Sequence, residues 1–291
     1  MKGSNLAAEL VFHALAFIPA SELAPPASRA ASLAWPAYSA FAQAHMPADA
    51  WRPFVEDAAL LSRLFEPVSI AHGIGWLCEL FDSLPALERS AACSLVDLDV
   101  ASVSSRDALR ALSSLPREPV EILRADLALA APAFERAHAS LLAPFSSSFL
   151  AALNARLEVV STFIRRGLFD DVVASGTLGP RGRGFPSRTY VGTTSLPGIV
   201  DLDVDSALVL ALHEAAVKRA TRALSKLGHA STWSEAEPIA LQLGLGWVRG
   251  TPLDAAYLSW SESLDRSGLA RVSEALLARV LATELDVPTN R

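Results

Sequence analysis

The sequence predicts a mainly α protein, a multi-helix globular bundle with one small β hairpin and loop excursion around residues 168–205. Three observations carry this. Apolar residues recur at spacings of three and four through most of the 291 residues, the period of a helix with one buried face. Helix-starting and helix-ending residues bracket those stretches. Seven of the 15 glycines fall between Gly167 and Gly198, together with β-branched runs, so the pattern breaks there and resumes afterwards. The implied organisation is a helical part over 1–166, a Gly-rich β and loop insertion over 167–205, and a second helical part over 206–291 sharing the same core.

In chain order, Asn5 to Phe17 places Leu6, Leu10, His13 and Phe17 on one face and Val11, Leu15 and Ile18 on another. A helix apolar nearly all round is a buried helix. Pro19, Pro25 and Pro26 stop it. Residues 36–46 form a short helix, and Pro53 suits the first turn of a longer one ending before Pro67, with Phe54, Ala58, Leu61 and Phe65 inward. Ile70, Ile74, Leu77, Phe81 and Leu84 keep the helical period, weakened by Gly73 and Gly75, whose spacing does not match a phosphate loop. Two further helices are expected at 85–96 and 105–115.

Pro119 opens another helix, which Pro132 separates from a segment carrying Phe134, His138 and Leu141. Ser146 to Ser148 supply an N-cap for a helix with the stripe Leu150, Leu153, Leu157, Val160 and Ile164, closed by Arg165-Arg166-Gly167. In the Gly-rich part, Asp171-Val172-Val173 and Thr189-Tyr190-Val191 read as strand pieces, and a hairpin is expected to pair 188–193 with 199–204.

The longest amphipathic helix follows, within Asp201 to His229. Leu210, His213, Val217, Ala220, Leu224 and Leu227 share its face, Asp203 or Asp205 caps its start, and Gly228 sits where a left-handed residue ends a helix. Thr232 to Glu235, or Ser234 with Glu237, fits a capping box. Thr251-Pro252-Leu253-Asp254 starts a helix containing Tyr257 and Trp260, and Leu269 to Leu285 forms the last one.

Composition narrows the function classes. The chain is 51% hydrophobic with a positive mean hydropathy, but no apolar run approaches the ~18 residues of a membrane span. A net charge of −6, with lysine only at 2, 218 and 226, argues against nucleic-acid binding, which needs clustered cations. Cys78 and Cys93 suggest neither a disulfide framework nor a metal knuckle. A cytoplasmic location is expected, since Glu9 and His13 interrupt the N-terminal apolar run that a signal peptide would require.

One motif carries chemistry. In His213-Glu214-Ala215-Ala216-Val217 the first two residues match the zinc-hydrolase pattern HExxH, in which two histidines one turn apart hold the ion and the glutamate is general base. Val217 replaces the second histidine. Glu235, Glu237 and His229 all lie downstream within reach of a returning helix; the zinc site would take His213 and Glu237, with Glu214 as the catalytic base and His13 or His229 as the missing ligand. The order of a strand followed by a His-Glu helix resembles the layout of zincin peptidases over some forty residues. Glu214 also stands four residues before Lys218, the order that favours a surface ion pair.

The Gly179–Gly184 loop offers Arg181 and Arg183 for an anion or a partner. Asp201, Asp203 and Asp205 begin like a calcium loop, but Ser206 and Leu212 stand where Gly and Glu are needed. Caps and apolar stripes thus account for most residues. The expected function is that of a non-catalytic helical accessory protein binding a partner protein, the alternative being a zincin-like metal-dependent hydrolase or its degenerate relative.

Overall fold

The computed structural model describes residues 2–3, 6–17, 36–61, 117–170, 172–177, 182–184, 189–192, 203–229, 233–264, 269 and 271–285. The helices expected at 70–84, 85–96 and 105–115, both cysteines and Arg181 lie outside them. Within them the protein is mainly helical with one small sheet, as its periodicity implies. No helix among the described residues is long and apolar enough to cross a membrane.

Strand β1 (Lys2–Gly3) leads into α1 (Leu6–Ala16). Leu10, Val11, Phe12, His13, Ala14 and Phe17 are all buried, the fate of a helix apolar on every side. Helix α2 (Pro36–His45) follows, then a 3-10 turn at Ala48–Ala50 and two short helices, α3 (Arg52–Glu56) and α4 (Ala58–Leu61). Pro53 stands in the first turn of α3, where its missing N–H costs nothing.

Helix α5 (Arg117–Ala137) runs straight through Pro132, so the expected break there is corrected. Pro132 is exposed while Ala131, Ala133 and Phe134 beside it are buried. Water can take up the carbonyl it leaves unbonded, and packing on the other face holds the axis. A π-helical turn at His138–Leu142 joins α5 to α6 (Ala143–Val160). That wide turn falls just before Pro144, which has no N–H for the carbonyl of Ser140. The N-cap expected at Ser146 to Ser148 is likewise displaced, since α6 begins three residues earlier with Pro144 in its first turn. Its end comes early too. The hydroxyls of Ser161 and Thr162 donate to the carbonyls of Glu158 and Val159, a local alternative to the helix ladder, and Gly167 belongs to a separate 3-10 turn at Arg166–Phe169.

The sheet has the order β1-β2-β4-β3, with β2 at Val172–Ser175, β3 at Gly182–Gly184 and β4 at Thr189–Gly192. Strands β1 and β4 both run parallel to β2, while β3 pairs antiparallel with β4. The expected partner of 188–193 is therefore corrected: β4 pairs with β2 and β3, and most of 199–204 lies outside the described residues. Every residue of β4 is buried, as in a strand with neighbours on both edges.

Helix α7 (Val204–Lys226) has the ends its sequence marks. Asp203 accepts from the Ser206 N–H at 2.7 Å, and Gly228 adopts φ +74° while the His229 N–H reaches the Leu224 carbonyl. Asp205, the other candidate cap, instead receives a two-pronged bond from Arg156 of α6 at 2.7 and 2.9 Å. Helices α8 (Trp233–Val248), α9 (Asp254–Glu262) and α10 (Glu274–Leu285) complete the bundle; α10 starts later than Leu269 because Ser273 caps it. One core joins Leu153, Leu157 and Val160 of α6, Val172 and Val191 of the sheet, Leu208 and Leu212 of α7, and Tyr257 of α9. A second joins Ala216, Ala220 and Leu224 of α7 to Ile239 and Leu243 of α8 and Val280 of α10.

Candidate functional site

Helix α7 passes between both cores, and at their junction it buries His213 and Glu214. The chain returns through α8, which places buried Glu237 with Oε1 2.9 Å from His213 Nε2. From α9, Tyr257 brings its hydroxyl 3.2 Å from His213 Nδ1, and the Trp260 ring lies 4.6 Å from the imidazole. Three helices thus converge on one histidine.

Protonation follows from the surroundings. Burial raises the Tyr257 phenol well above its ordinary range, and the charges of Glu237 and then Glu214 add to this. The hydroxyl therefore keeps its proton and can donate to Nδ1. One tautomer satisfies every partner: Nδ1 accepts from Tyr257, and Nε2–H donates to Glu237. Gly244 of α8 makes room for this, because the Tyr257 hydroxyl lies where a side chain at 244 would begin.

His213 and Glu237, paired in the sequence as metal ligands, are thus brought together. Two ligands ~2.0–2.1 Å from one tetrahedral zinc ion stand roughly 3.3 Å apart, so these atoms would have to part by a few tenths of an ångström. Among the described residues no three His, Cys, Asp or Glu side chains converge as a metal-binding group. His213 and Glu237 supply two of the three protein ligands that a catalytic zinc site needs. His229 is exposed beyond the end of α7. His13 is committed elsewhere, with Nδ1 2.7 Å from the Tyr38 hydroxyl and Nε2 2.8 Å from the Ala50 carbonyl. Burial there lowers its pKa to about 3. Glu214 is buried next to His213 in the chain, and Arg183 lies in β3 opposite Tyr190.

Glu9 escaped the sequence reading. Its buried carboxylate accepts from the Gly176 and Thr177 N–H groups, both at 2.8 Å, and from the hydroxyls of Thr177 and Ser175 at 2.6 and 3.2 Å. The loop after β2 is an anion-binding nest whose occupant comes from α1. The signal was a lone carboxylate within an otherwise apolar helix, which has to be buried with partners.

No protein-family model matches the chain, and neither the curated proteins nor the solved structures contain a significant match.

Proposed function

We propose that the protein is a helical accessory protein, without catalysis of its own, that works by binding a partner protein in the cytoplasm. The observation that supports this most is at the C-terminal end of α6, where Val159 in its last turn and Phe163 in the turn that follows are 48% and 59% exposed. Large apolar side chains left in water within one short stretch are a feature of binding surfaces. The chemistry of the His213 cluster points the same way, since both ring nitrogens are held by internal partners. Arg181 and Arg183 are proposed as polar contacts to the same partner.

The test is a double substitution, Val159→Ser with Phe163→Ser, in tagged protein expressed in its native cells. A partner retrieved by the wild type should bind the purified protein directly, and the double variant should bind it about 100-fold more weakly with unchanged thermal stability. Equal binding by both proteins, or a wild type that retrieves nothing, would sink this reading.

A second reading, a metal-dependent hydrolase or a degenerate relative, is favoured by the approach of Glu237 to His213. There Glu214 would be the base, and His213 and Glu237 the zinc ligands. Elemental analysis of wild type beside His213→Ala decides it. Near-stoichiometric zinc lost in the variant would support the hydrolase, and its absence from both proteins would end it.

A further inference from the structure

Helix α10 lies along α7 and α8 but shares their core thinly. Of its described side chains only Val280 is buried, while Leu276, Leu277 and Leu281, which complete the same stripe, are partly covered. Beneath it the opposite holds. Ala216, Ala220 and Leu224 of α7 and Ile239, Ala240 and Leu243 of α8 have no exposure, and these two helices also pack on each other. Helix α10 therefore roofs a pair that is already joined. A helix of 12 residues is marginal in water by itself, so α10 owes its order to this seat, and it opens as one unit.

The flank of α7 carries one sign. Between Val217 and Leu227 its charged residues are Lys218, Arg219, Arg222 and Lys226, all cations, in the gaps between its buried positions. In a chain of net charge −6 that is a local excess. The present occupant does not match it, since over 271–285 Arg271 and Arg279 cancel Glu274 and Glu284.

We propose that α10 is a displaceable cover, and that the apolar face of α7 and α8 beneath it is the docking site for an acidic amphipathic helix of a partner protein. Helix α10 itself is the template for what fits: apolar residues at the positions of Leu276, Leu277, Val280 and Leu281, one stripe of a helix laid in a groove. A partner helix that keeps this stripe and carries Asp or Glu in place of the two arginines fills the same seat and also meets the cations of α7. The inference rests on the reading of the protein as a partner-binding accessory protein and gives that partner a chemistry. It uses neither Val159 nor Phe163.

Hydrogen exchange of the intact chain tests the cover, and fluorescence anisotropy tests the seat. The amides of 278–285 should exchange at least about ten-fold faster than those of 237–248 in α8, after scaling for intrinsic rates. The anisotropy probe is a labelled peptide of sequence 271–285 with Arg271→Glu and Arg279→Glu. Val280→Ala in the chain loosens its own α10 and should tighten binding of this acidic peptide about ten-fold, because less of the seat is taken. Leu281→Ala, at a partly covered position, should tighten it less, and stands in if the Val280→Ala chain does not fold. The peptide of unchanged sequence should bind more weakly than the acidic one, with the difference shrinking as salt is added. The chain carrying Val159→Ser and Phe163→Ser should bind the acidic peptide as the wild type does, which separates failure of this site from failure of the α6 surface. Equal protection of α10 and α8, an affinity that neither chain variant changes, or an acidic peptide bound no better than the unchanged one would each overturn the proposal.

Discussion

Replacing Glu9 by alanine is expected to destabilise the fold by about 3–5 kcal/mol, read as a lowered urea midpoint at pH 7. The substitution removes more than one bond. It strands the buried N–H groups of Gly176 and Thr177, leaves the Ser175 hydroxyl only the Thr177 hydroxyl at 3.5 Å, and takes one of the two acceptors from the Thr177 hydroxyl, which also reaches the Glu9 carbonyl at 2.9 Å. Each stranded group costs about 1–3 kcal/mol, and the costs are less than additive because water can enter the space left behind. Helix propensity works the other way, since alanine favours α1 by a few tenths of a kcal/mol. Glu9→Gln should be intermediate: its amide oxygen can still accept, but its NH2 would face donors. If both variants unfold within 1 kcal/mol of wild type, the loop at 175–177 finds its acceptors elsewhere and Glu9 is no anchor.

That anchor shows where the sequence was legible and where it was not. Features written within a few residues could be read directly. Asp203 and Gly228 mark the ends of α7 because capping is local chemistry, and α1 announces its burial through apolar residues on every side. What depends on distant segments could not. The partners of Glu9 lie 166 to 168 residues away, and the parallel pairing of β2 with β4 and β1 leaves no turn signature. Pro132 misled because a proline's effect on a helix depends on whether its neighbours are packed, which local sequence does not state. Glu237 fitted a capping box as well as it fitted a ligand. Only the return of α8 along α7 shows that its oxygen meets His213 instead of capping a helix start.

The packing of that return yields the other large effect. Gly244→Ala should destabilise the protein by about 2–3 kcal/mol, even though alanine in place of a mid-helix glycine normally gains about 1 kcal/mol. A Cβ at 244 would overlap the Tyr257 hydroxyl and Cζ and stand 2.8 Å from its Cε2, all parts of a fully buried ring. Tyr257 cannot swing into water. Either α8 and α9 move apart, at an overpacking cost of about 1–3 kcal/mol, or the ring slides and the bond to His213 Nδ1 is lost as well. Tyr257→Phe separates these terms. Alone it leaves the His213 nitrogen unpaired and should cost about 1–2 kcal/mol. Combined with Gly244→Ala it removes the nearest of the atoms that the new methyl strikes, and the bond to His213 can be lost only once, so the double variant should be less destabilised than the two single effects predict together. A coupling of about 1 kcal/mol in that direction is the expected reading of the cycle. Simple additivity would mean that the clash with the ring carbons, which Tyr257→Phe leaves in place, sets the cost by itself. A stabilised Gly244→Ala would mean that α8 and α9 do not approach as closely as the Tyr257 to His213 bond requires, and the three-helix junction around His213 would have to be redrawn.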